Sequence, residues 1–161
     1  MKKGFTLIEL LVVMVIVGIL VTIALSKYKV SIEKGRALQG IADTGAISEA
    51  VNVSYIKNMN SYTTAANLCS FAMGNSSCSA SSDTKGVAPV TAAKYFTFAI
   101  SKSGSVVTVE ATRTGLGAKG YVIGVTNENG EETEHYCTGY ERYCKALGAV
   151  TARTSGSGWK F

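Results

Sequence analysis

The sequence predicts an α+β protein in which one long N-terminal helix, about residues 5–58, packs on an antiparallel sheet of roughly four strands. Three observations carry that expectation. Residues 5–25 are almost wholly apolar. Residues 26–58 contain no proline and stay helix-compatible. Residues 94–137 then change to short β-prone runs separated by turn residues.

The apolar run from Phe5 to Leu25 is 21 residues long, with one charge, Glu9, and three other interruptions, Thr6, Gly18 and Thr22. In helical form it spans ~30 Å, the thickness of a bilayer core. The preceding Met1-Lys2-Lys3-Gly4 is short and basic, and its end is expected to stay cytoplasmic. An ordinary secretory signal has a shorter apolar stretch and an A-x-A-like site, which Ala24-Leu25-Ser26 matches poorly. A plain signal anchor accounts for everything except Glu9, because a carboxylate in an apolar run costs several kcal/mol, by order of magnitude, and is usually functional.

Beyond the apolar run, Ala37, Ile41, Ile47, Val51 and Tyr55 fall on roughly one side of a helix, with Leu38 and Ile56 at its edges. The stripe is smeared, as expected for a helix with its own domain on one face and neighbours on the other. Residues 5–58 form a rod of ~80 Å, which leaves about 100 residues for a small domain. Such a rod has little use in a monomer and makes sense as a polymerisation element.

Residues 59–93 are rich in Ser, Thr, Asn, Ala and Gly and read as a connecting loop with a short helix near Ala65–Ala72. The sheet is expected from Tyr95–Ile100, Ser105–Thr112, Tyr121–Val125 and Glu132–Tyr136. Turns fall at Lys102-Ser103-Gly104, Gly115–Gly120 and the hairpin dipeptide Asn129-Gly130. The tail, residues 138–161, closes onto the sheet with Trp159 and Phe161 as anchors.

Gly4-Phe5-Thr6-Leu7-Ile8-Glu9-Leu10 resembles the class III signal of type IV prepilins and the related pseudopilins. The resemblance covers residues 1–25, with basic leader, Gly, Phe and Glu in register. It implies a pilin-like fold, a leader of residues 1–4, a transmembrane and polymerisation helix over 5–25, its amphipathic continuation over 26–58, and a globular domain over 59–161. It also implies cleavage between Gly4 and Phe5 by a prepilin peptidase and N-methylation of Phe5. Phe5 and Glu9 then act in subunit assembly, the carboxylate attracting the cationic terminus of a neighbouring subunit. Ser26 stands where many type IV pilins have a proline, and Gly18 is the only internal helix weakener, at ~1 kcal/mol relative to Ala.

The four cysteines form two close pairs, Cys69/Cys78 and Cys137/Cys144. Three connectivities are open. The short enclosed loops favour Cys69–Cys78 and Cys137–Cys144 in an oxidising compartment. Neither pair has zinc-ribbon spacing, and His135 is the sole histidine. If Cys137 and Cys144 lay on one helix they would stand ~10 Å apart along its axis, so the second bond demands a turn near Gly139.

The net charge is +5, or +3 without Lys2 and Lys3, with no run of basic residues; any attraction to nucleic acid is weak. The glycine-rich Gly115–Gly120 segment lacks phosphate-loop context. Asn127-Glu128-Asn129-Gly130-Glu131-Glu132 is read as an acidic hairpin tip, since its spacing does not complete a calcium loop. No metal, cofactor or catalytic constellation is expected. The reading is a structural, non-enzymatic type IV pilus subunit: a homopolymer held by the inner-membrane pilus assembly machinery, membrane-anchored first and then displayed on the cell surface. A type II secretion pseudopilin and an adhesive or DNA-uptake minor pilin are the alternatives.

Overall fold

The structure, a computed structural model, describes residues 6–74, 79–82, 85–87, 95–153 and 156–161. Helix α1 runs Leu7–Lys57 without a proline, about 76 Å at 1.5 Å per residue. It ends at Asn58, whose backbone N–H donates to the Ser54 and Tyr55 carbonyls. Met59 and Asn60, at φ 53° and 58°, then turn the chain back.

Only the second half of α1 is covered. Its buried positions are Glu33, Ala37, Gly40, Thr44, Ile47, Ser48, Val51 and Ser54, a line at the three-to-four spacing of one helix face. Ala37, Ile47 and Val51 of the expected stripe are in it, Ile41 and Tyr55 are half-buried, and Leu38 and Ile56 point outward. The stripe is blurred in sequence because five of these eight inward positions are polar or glycine. Thr44 Oγ1 donates to the Gly40 carbonyl at 2.6 Å, and Ser48 Oγ donates to Asn127 Oδ1 at 2.8 Å. Gly40 lets the Phe96 ring meet the helix backbone, since a Cβ there would lie 2.8 Å from the ring.

Helix α2, Ala65–Met73, buries Leu68 and Cys69 and stops at left-handed Gly74. The strands are β1 Ser79–Ser82, β2 Lys85–Val87, β3 Phe96–Ser103, β4 Val106–Arg113, β5 Tyr121–Glu128, β6 Glu131–Gly139, β7 Thr151–Ala152 and β8 Trp159–Lys160. They form one antiparallel sheet in the order β1-β2-β3-β4-β5-β6-β8-β7. A 3-10 turn, Gly117–Lys119, joins β4 to β5, and helix α3, Glu141–Ala146, follows β6.

The α+β architecture is as the sequence predicts. Strands β3–β6 are the expected meander, and Asn129-Gly130, both at positive φ, make the β5–β6 turn. Phe96, Phe98, Ile100, Val107, Val109, Ala111 and Ile123 alternate inward and form one core with Ala37, Ile47 and Val51. The sheet is wider than roughly four strands. Strands β1 and β2 lie in the segment expected as a loop, and β7 and β8 lie in the tail. Each is two to four residues long, too short for period-two alternation to register, and each exists through its pairing with a neighbour. Trp159 packs on the core, whereas Phe161 is 44% exposed and its N–H donates to the His135 carbonyl.

Candidate functional site

Every described side chain from Thr6 to Lys29 is exposed. Fifteen large apolar residues from Leu7 to Leu25 stand 46–85% exposed, on all sides of the helix. A helix apolar all round belongs in a bilayer or against other helices. Covering these side chains is worth on the order of 20 kcal/mol. This is the one helix among the described residues long and apolar enough to cross a membrane. Thr22 interrupts it at little cost, because its hydroxyl donates to the Ile19 carbonyl at 2.7 Å.

At the tip, Thr6 and Glu9 form a capping box. The Glu9 N–H donates to Thr6 Oγ1 at 3.4 Å, while Glu9 Oε2 accepts the Thr6 N–H at 2.9 Å and the Thr6 hydroxyl at 2.7 Å. The carboxylate is thus folded back to the first turn, where the helix dipole favours a negative charge. Among the described residues no cation pairs with it. The site is an apolar cylinder with one oriented anion at its end, unpaired among the described residues.

The rod is fixed to the domain through Glu33, the first buried residue of α1. Its carboxylate accepts Arg113 Nε at 2.5 Å and Nη2 at 3.1 Å, the Tyr121 hydroxyl at 3.0 Å and Arg36 Nη1 at 3.3 Å. Burial pushes the Glu33 carboxyl upward, but the Arg113 and Tyr121 hydrogen bonds, the Arg113 charge and Arg36 outweigh it and hold it below the usual glutamate range. Tyr121 is pushed well above the usual phenol range by its burial and by the Glu33 charge. Arg113 also donates to the Tyr95 and Thr114 carbonyls and lies over the Tyr95 ring. Nothing in the sequence announced this cluster, because its members are 80 and 88 positions apart.

Residues 1–25 match the family described as the prokaryotic N-terminal methylation motif. This is the same segment whose sequence resembles the type IV prepilin signal. Three sequences of type IV major fimbrial protein FimA from Dichelobacter nodosus are each 39% identical to it over 51 residues, covering 32% of this chain and 32–33% of those proteins. The match thus spans about a third of the length of these curated relatives. No solved structure matches significantly. The long helix on an antiparallel sheet is consistent with the type IV pilin fold.

Of the residues the prepilin signature points to, Glu9 sits at the third position of α1, and Gly4 and Phe5 lie outside the described residues. Cys137 on β6 and Cys144 on α3 are bonded, with Cα atoms 5.5 Å apart. Gly139, at φ 102°, makes the turn between them, and a Cβ there would lie 2.6 Å from the Gly120 carbonyl oxygen. Cys69 is fully buried on α2 and is disulfide-bonded; Cys78 lies outside the described residues. The acidic hairpin tip directs Asn127 inward to Ser48, and Glu132 pairs with His135 at 2.9 Å.

Proposed function

We propose that this chain is a structural, non-enzymatic subunit of a type IV pilus. In this reading residues 1–4 are a leader, removed between Gly4 and Phe5 by a prepilin peptidase, and Phe5 is N-methylated. Residues 5–25 anchor the precursor in the inner membrane. The same surface is then transferred by the inner-membrane assembly machinery into a helical homopolymer on the cell surface. Residues 26–58 carry the rod over the domain of residues 59–161.

The observation that carries the reading is the bare apolar cylinder with Glu9 at its tip. An exposed surface of that kind must leave water, and a bilayer and a bundle of identical helices both cover it. In a low-dielectric bundle the anion needs a cation, and the new amine at Phe5 of a neighbour supplies one. Pairing sets the axial step between subunits. A pseudopilin shares this N-terminal logic, and the resemblance to fimbrial proteins favours the pilus over it.

The test is assembly by the full-length Glu9→Ala chain in cells producing the wild-type machinery. The expected result is normal folding and membrane accumulation with no sheared surface fibres. Normal fibres from Glu9→Ala would remove the charge-pairing role, and loss of secretion without loss of fibres would assign the chain to a secretion apparatus.

A further inference from the structure

Where α1 leaves the domain, three elements meet around an open pocket of about 350 Å³. Thr22, Leu25 and Lys29 come from α1, Lys119 from the 3-10 turn, and Tyr140 and Arg142 from the start of α3. Lys29, Lys119 and Arg142 are far apart in sequence, so no basic run appears there, yet the fold gathers them on one rim. All three are exposed, and none belongs to an ion pair among the described residues. Glu33, one helical turn from Lys29, is held by Arg113, and Glu141, next to Arg142, by Lys145 at 2.5 Å. The pocket therefore carries three cations unpaired among the described residues, with Leu25 as an apolar wall on one side.

We propose that this pocket binds the anionic headgroup of a phospholipid, and the proposal rests on the membrane-anchored reading above. Leu7–Leu25 in helical form is ~28 Å long, close to the ~30 Å hydrocarbon core. Leu25 then sits at the edge of that core, and Lys29, one helical turn on, lies at headgroup depth. A phosphate between Lys29, Lys119 and Arg142 places its acyl chains against Leu25 and Thr22. Tyr140 contributes the amphipathic ring favoured at that boundary. A pocket for a free anion needs no apolar wall, and charge complementarity selects acidic over zwitterionic lipid. The contact fixes the height and rotation of the domain over the membrane, so anionic lipid opposes extraction of the subunit.

The experiment uses the full-length chain in vesicles of phosphatidylcholine, with and without phosphatidylglycerol. The wild type is compared with the single variants Lys29→Gln, Lys119→Gln and Arg142→Gln, their triple combination, and Lys57→Gln as a distant control. Protease protection of α1 reports insertion, and lipid retained after detergent extraction, counted by native mass spectrometry, reports headgroup choice. The wild type and Lys57→Gln should retain phosphatidylglycerol preferentially, with the preference falling about fivefold per pocket cation replaced and insertion unchanged. Equal selectivity in the wild type and the triple variant overturns the proposal, as does equally tight binding of glycerol 3-phosphate, which would mark a free-anion site. Wild-type indifference to headgroup combined with failure of the triple variant to form fibres also overturns it, in favour of a subunit contact. Absence of insertion removes the proposal together with the membrane reading, and is told apart from the other outcomes by the protease arm.

Discussion

Replacing Arg113 with methionine should leave the Glu33 carboxylate buried and without its main partner. Glu33 is 4% exposed and Arg113 8% exposed, so water does not take over the role of the guanidinium. Two of the four hydrogen bonds to the carboxylate come from Arg113. Removing one member of a buried pair costs about 3–5 kcal/mol. Urea unfolding of the full-length chain in mild detergent, followed by the fluorescence of the single tryptophan, Trp159, measures it. With a slope of about 2 kcal/mol/M, the midpoint should fall by about 2 M. The Glu33→Leu/Arg113→Met double variant should recover part of this, because it removes the stranded charge and leaves the Tyr121 hydroxyl without an acceptor, a loss of about 1–3 kcal/mol. The sign with pH is fixed. The folded Glu33 carboxyl titrates below its ordinary value, so its contribution is complete above that value and is lost as pH falls through the depressed one. The gap between wild type and Arg113→Met should therefore narrow on acidification. A midpoint shift below about 0.5 M would place the pair among solvated surface contacts and refute the claim that it docks the rod to the sheet.

Gly124→Val should destabilise the outer face of the sheet. Any Cβ there collides with Tyr136 Cζ, and the displaced ring loses its 2.9 Å hydrogen bond to Glu110 and the Arg153 guanidinium stacked on it at 3.4 Å; the expected loss is about 1–3 kcal/mol, and an unchanged urea midpoint would contradict it. The Cys137→Ser/Cys144→Ser variant opens a loop of sequence separation 7 and should lose about 2 kcal/mol. The same unfolding assay under non-reducing conditions checks this against oxidised wild type, and an unchanged midpoint would contradict it. Ser48→Ala removes the hydrogen bond to Asn127, a fully buried side chain whose Nδ2 has no partner among the described residues. A loss of about 1–3 kcal/mol is expected, and a stability within a few tenths of a kcal/mol of wild type would show the amide finds another partner.

The parts of the fold legible in sequence are those whose pattern is local. The proline-free helix, the strands around Phe96–Ile100 and Val106–Thr112, and the Asn129-Gly130 turn each carry their signal within a few residues. So does the N-terminal motif, in which Thr6 and Glu9 are spaced as a capping box as well as a processing signature. The docking face of α1 was blurred because Glu33, Thr44, Ser48 and Ser54 are buried polar groups: Glu33 and Ser48 find partners about 80 positions along the chain, while Thr44 and Ser54 bond residues four positions away on α1 and at its end. Strands β7 and β8 were missed for a related reason: two residues paired with a neighbour carry no periodicity of their own. The basic pocket of Lys29, Lys119 and Arg142 was invisible for the same cause, since composition showed only a modest net charge of +5.

The mass of the chain recovered from the cell envelope or from sheared fibres tests the central claim most directly. The expected species begins at Phe5 and carries one methyl group on its terminal amine. A chain that still begins at Met1, or one cut after Ala24, would contradict the claim, because the cation meant to meet Glu9 of a neighbouring subunit would never be made.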